Sequence, residues 1–215
     1  IVYGEYVPGP AKVAAEETAV EEQRAAGGPV LRRLVGTPGG MSHDVPTHTL
    51  TFFAGFCTVG DPDMLTTSGV LYYEVEVVSA LSGPQIGFAT SDFEVGIDKD
   101  TGIGVGDNEA SWGVDGERCR IWCQGKDKHD TAWPCRWAEG DVIGFAAHPG
   151  AGKMAVSKNG SWSDEGCGVV LEGDAYKVGV YPAISMESGE VRHRMVAPFK
   201  YGPPDAAVWS EGQGV

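Results

Sequence analysis

Gly104-Val105-Gly106-Asp107-Asn108-Glu109-Ala110-Ser111-Trp112-Gly113 decides how the rest of this chain is read. With Gly102 ahead of them, Gly104 and Gly106 repeat at a spacing that imitates a phosphate-cradling loop. Such a loop opens a helix inside a βαβ unit. No helical period follows here, so the nucleotide reading is rejected. The stretch stands between runs of strand character, with Gly69–Val78 and Pro84–Ser91 before it and Asp141–Ala147 and Met154–Gly160 after it.

Those runs carry a period of two. In Leu71–Val77 the residues Leu71, Tyr73, Val75 and Val77 share one face, and Tyr72, Glu74 and Glu76 share the other. That alternation describes a half-buried antiparallel strand. Val142–Ala147 places Ile143, Phe145 and Ala147 inward, and Thr49–Phe56 is short and aromatic. Lys153–Ser157 runs into Asn159-Gly160, a dipeptide that makes two-residue hairpin turns. Val180–Ser185 and Val191–Val196 read as a further strand pair joined through Met186–Glu190. With 32 glycines and 13 prolines punctuating short strands, the chain reads as all-β, a two-layer antiparallel β-sandwich.

Residues 1–48 read as an N-terminal extension or linker. Ala11–Ala26 is rich in alanine and glutamate and is closed by Gly27-Gly28, which predicts a short helix over 11–26. Leu31, Leu34 and Val35 are placed to anchor this extension, and Thr37–Pro46 reads as loop. The sandwich is expected over 49–197. An irregular tail is expected over 198–215, with Trp209 docking back.

A formal net charge of −14 opposes binding to nucleic acid or anionic membranes, because both demand clustered lysine and arginine. A protein or peptide partner of basic character fits this surface. No apolar run approaches the roughly 18 residues of a membrane span. Cys57, Cys119, Cys123, Cys135 and Cys167 form an odd set without dense spacing, which favours free thiols and an intracellular setting, cytoplasmic or nuclear. A chain that starts at Ile1 is expected to be a fragment or a processed product.

Six motifs in order resemble the SPRY domain family: Tyr72–Glu76; Ile86–Thr90; Gly104–Asp107 with Ser111–Gly113 and Asp115-Gly116; Trp137 with Gly140–Gly144; Ser157–Gly160; and Val180–Ser185. Together they cover about residues 69–196. The resemblance implies a concanavalin A-like sandwich of jelly-roll type that binds other proteins through loops at one end and performs no chemistry. Some relatives use Val-Trp-Gly after Tyr-Pro-Ala-Val-Ser to hold a peptide. Here Met186-Glu187-Ser188-Gly189 follows instead, so that peptide specificity does not carry over.

The surface implied by the family's loop end consists of Ser91, Asp92, Phe93, Glu94, Asp98, Asp100, Thr101, Met186, Glu187 and Ser188. Phe93 and Met186 are its apolar anchors. Residues 92–109 hold six acids against the single Lys99, a rim that would steer a basic ligand. Competing readings are weaker. Asp98, Asp100 and Glu109 imitate a calcium loop, but Gly102 and Ile103 stand where an oxygen ligand and the glycine belong. Cys119, Cys123, His129 and Cys135 lack the close cysteine pairs of structural zinc sites. No Gly-x-Ser-x-Gly elbow accompanies His43, His48, His129, His148 or His193. The expectation is therefore a non-enzymatic interaction module without cofactor or metal. The alternatives are a wall domain of a large assembly, the recognition part of a ubiquitin ligase, or a lectin-like binder.

Overall fold

The computed structural model describes residues 29–36, 40–94, 103–123 and 132–210, and the expected helix over 11–26 lies outside them. Thirteen strands are present among these residues: β1 (Arg32–Gly36), β2 (Met41–Asp44), β3 (Thr49–Phe52), β4 (Cys57–Gly60), β5 (Leu71–Val77), β6 (Gln85–Ala89), β7 (Ser111–Asp115), β8 (Arg120–Cys123), β9 (Val142–His148), β10 (Lys153–Lys158), β11 (Gly168–Glu172), β12 (Tyr181–Met186) and β13 (Gly189–Arg194). Among the described residues a single short α-helix, α1 (Ala206–Ser210), follows them. The strands form two antiparallel sheets, ordered β1-β4-β12-β6-β7-β8 and β11-β10-β9-β5-β13-β3-β2. The sandwich read from the sequence is the sandwich observed.

Alternation builds the core. Leu71, Tyr73, Val75 and Val77 of β5 face Ile86 and Phe88 of β6, Trp112 and Val114 of β7, and Ile184 and Met186 of β12. Tyr73 ties the layers together: its ring stacks on Phe145 at 5.0 Å, and its hydroxyl donates to Gly87 O in the opposite sheet at 2.5 Å. Burying an aromatic ring while satisfying its polar tip is the condition under which tyrosine is stable in a core. Asn159 and Gly160 both take positive φ, 52° and 82°, and Lys158 and Ser161 pair across them. The hairpin signal in the sequence is therefore literal.

Each outer face is partly covered. Over the six-stranded sheet lie residues 103–110, which hold most of the glycine-rich stretch Gly104–Gly113. Val105 N–H donates to Ser185 Oγ at 2.8 Å, Thr58 Oγ1 donates to Ile103 O at 2.9 Å, and Gln85 Nε2 donates to Asp107 Oδ1 at 2.9 Å. Gly106 has φ +100° and lies against Trp122, where a side chain would strike the Trp122 Cβ and backbone. The glycines thus let a strap press onto the sheet. Over the seven-stranded sheet lie residues 199–209, with Phe199, Val208 and Trp209 packed on Tyr72, Ala146, Ala155 and Val169.

Three expectations are corrected. β1 and β2 fall in the span read as extension and loop, yet they pair with β4 and β3 as sheet strands. Their short length hid the period. In the tail, expected irregular with Trp209 docking back, Trp209 does pack on the sheet, but Ala206–Ser210 is helical, and Glu74 fixes the stretch by accepting from the backbone N–H of Lys200, Tyr201 and Gly202 at 2.7, 2.7 and 3.1 Å. Finally, β12 and β13 do not pair with each other. β12 lies between β4 and β6 and β13 lies between β5 and β3, so the turn at Glu187 and Ser188 passes from one layer to the other.

Candidate binding surface

β12 runs antiparallel to β6, with Tyr181 opposite Ala89 and Ser185 opposite Gln85. The loop that follows β6 and the turn that follows β12 must therefore leave opposite ends of the sheet, roughly 15 Å apart at strand rise. This divides the surface expected from the sequence. Ser91, Asp92 and Glu94 are exposed at one end; Glu187 and Ser188 are exposed at the other. Asp98, Asp100 and Thr101 lie outside the described residues.

The two expected anchors are both buried. Met186 is 0% exposed, since β12 continues one residue further than the sequence suggested and puts it in phase with Ile184, toward the core. Phe93 is 3% exposed and packs with Leu34, Val35, Val105 and Tyr181 beneath the strap. Both residues hold the fold, and neither presents a surface to a partner. Asp107, read as part of an acidic rim, also serves the strap by accepting from Gly104 N–H at 2.7 Å.

The end carrying Ser91 holds a concavity of about 750 Å³. Thr90 N–H donates to Ala110 O at 2.8 Å, which closes the loop after β6 at its base. Opposite it, Thr66 and Val180 exchange both backbone hydrogen bonds at 2.9 and 3.0 Å, pinning the loops before β5 and β12 side by side. This pairing presents Leu65 and Val178, 43% and 40% exposed, on one wall. Ile103, Ala110 and Trp112 continue the apolar lining, and Asp92, Glu94 and Glu109 edge it, with no lysine or arginine in the lining among the described residues. The result is an apolar cleft with a negative rim, suited to a hydrophobic side chain flanked by positive charge.

Leu65 and Val178 are the members that sequence reasoning missed. Each is an apolar residue in a short turn, Met64-Leu65-Thr66 and Lys177-Val178-Gly179. Such a residue gives no period, and only the Thr66–Val180 bridge brings the two together. A smaller cleft, about 250 Å³, lies at the opposite end between Val77, Leu81, Trp137, Glu117, Arg136 and Glu139.

Among the described residues no group of three or more histidine, cysteine, aspartate or glutamate side chains is arranged to hold a metal ion. Cys119 sits in a turn at φ +56°, while Cys123 and Cys135 are core residues. His43, His48 and His193 do meet, with His43 and His193 Nε2 atoms 3.0 Å apart. Burial, then the neighbouring His48, holds His43 down at about 4. Burial, then His43 and His48, also holds His193 well below the usual imidazole range. Neutral rings packed at a sheet edge are a structural arrangement.

A family model described as the SPRY domain matches residues 70–198. Among solved structures, the SPRY domain of human HERC1 is similar in fold, with a TM-score of 0.52 and 16% identity, covering 68% of this chain and 87% of that one. No helix among the described residues is long and apolar enough to cross a membrane.

Proposed function

As the chain belongs to the SPRY domain family, whose members generally act in protein–protein interaction, we propose that it is a non-catalytic module that grips a polypeptide segment in the cleft beside Leu65 and Val178. The ligand carries a bulky apolar side chain between lysine or arginine residues. One observation carries this reading: among the described residues, two of the five most exposed large hydrophobic side chains stand together on the wall of a cleft whose described charged lining residues are all acids. Exposed apolar area at the centre of a pocket supplies affinity, and the rim supplies on-rate and selectivity. The setting we propose is intracellular, in keeping with five free thiols. The cleft at the opposite end favours a second reading, in which the domain is a wall within a larger assembly and touches two neighbours at once.

The experiment is selection of a displayed random peptide library on the folded protein, repeated on Leu65→Asp/Val178→Asp. Enriched sequences with an apolar residue between basic ones, lost on the double variant, support the proposal. Sequences that bind both proteins equally, or no enrichment, overturn it.

A further inference from the structure

Beside the smaller cleft, the thiols of Cys135 and Cys167 hydrogen-bond to each other. Two backbone segments are pressed together to make this contact. The Trp133 indole N–H donates to Gly166 O at 2.6 Å, and a Cβ added to Gly166 would stand 2.9 Å from Cys135 Cβ. Lys158 Nζ, on the β10 side, donates to Arg136 O at 2.7 Å and pairs with Asp141 at 2.9 Å. The two thiols are buried, 4% and 6% exposed, but Pro134, Arg136 and Glu165 beside them are exposed. The pair therefore lies one residue below the surface, within reach of a small oxidant.

The two sulfurs are not equivalent. Cys167 accepts the Cys135 S–H and the backbone N–H of Lys158, with the Lys158 ammonium nearby. These donors favour thiolate on Cys167, whose acidity is enhanced despite burial. The hydrogen bond to Cys167, followed by burial, holds Cys135 as the thiol. A low-pKa cysteine beside a resolving one is the arrangement that peroxide reads.

We propose that Cys135 and Cys167 form a peroxide-responsive dithiol that closes to a disulfide inside the folded domain. The Cys167 thiolate attacks hydrogen peroxide; an S–O bond forms, the O–O bond breaks, and hydroxide leaves. Cys135 then attacks the Cys167 sulfenic acid. An S–S bond forms, the S–O bond breaks, and the departing hydroxide takes the Cys135 proton to leave as water. Two electrons pass from the two thiols to one peroxide. The new bond ties residues 133–137, including one side of the smaller cleft, to the loop that enters β11.

The test treats the full chain with hydrogen peroxide and follows intact mass, non-reducing peptide maps and melting temperature. Expected are a loss of two hydrogens, a peptide joining Cys135 to Cys167, a raised melting temperature, and reversal by dithiothreitol. In Cys135→Ser the sulfenic acid persists on Cys167 and is trapped by dimedone. If both cysteines of peroxide-treated wild-type protein still alkylate fully on unfolding, or if another pair is linked instead, the proposal fails. The decisive measurement is made on wild-type protein and does not depend on whether the variant folds.

Discussion

The Tyr72 hydroxyl donates to Glu74 Oε1 at 2.9 Å on the outer face of β5, and this pair seats the C-terminal strap. Glu74 is wholly buried, and its carboxylate also accepts three successive backbone N–H groups. Burial pulls its pKa upward, but the donors from Lys200, Tyr201, Gly202 and Tyr72 together hold it below the usual value. The strap is therefore held by a charge.

Glu74→Gln leaves the shape but removes that charge and turns an acceptor into a donor facing N–H groups. The expected loss is about 2–4 kcal/mol. Limited proteolysis should then cut near Lys200 and Tyr201 before any cut in the sheets. A variant that melts like wild type with an uncut strap would refute this role.

Acid should unfold the protein in two stages. His43 and His193 are held neutral, so the unfolded chain binds protons more readily than the fold. Stability is full above about 6.5 and falls as pH drops toward about 4, by about 2–3 kcal/mol for His43 alone. Asp44 opposes the shift at His43, and His48 reinforces it at both rings. Glu74, Glu76 and Asp141 are all held low, so their stabilisation is lost only below the ordinary carboxylate range. His43→Gln should flatten the first stage in a denaturant titration across pH and spare the second.

Gly106→Ala tests the strap on the opposite face. It adds a methyl group against Trp122 at a φ that alanine resists. The expected cost is about 3 kcal/mol, seen as a lower urea midpoint and greater exposure of Trp122 fluorescence. Gly140→Ala is the control. It shares a positive φ, but a Cβ there meets nothing within 4 Å, so it should cost only the backbone strain of about 1 kcal/mol.

Asp92→Lys with Glu94→Lys separates rim from cleft. Neither change touches a buried group, so stability should move by less than about 0.5 kcal/mol. Association with a selected basic peptide should slow about tenfold at low salt, while dissociation changes little. A change confined to dissociation in stopped-flow traces would contradict the steering role.

The layered fold was legible because β5 alternates cleanly, Ile143, Phe145 and Ala147 of β9 share one face, and the Asn159-Gly160 turn is local chemistry. β1 and β2 were not, since four or five residues with mixed burial show no clear period. The site was legible only in part. Ser91, Asp92 and Glu94 stand where an acidic edge was expected, whereas Phe93 and Met186 were misread because apolar residues near loops look alike whether they point in or out. Pairing register decided the rest. Nothing in the sequence states that the loops after β6 and β12 diverge until the antiparallel partnership of Tyr181 with Ala89 is known.

The two straps have a consequence for encounter geometry. With a strap of its own polypeptide laid over part of each broad flank, a ligand that used the proposed cleft would approach end-on. The two clefts are separated by the length of the strands, so on the proposed reading a guest in one would leave the other vacant.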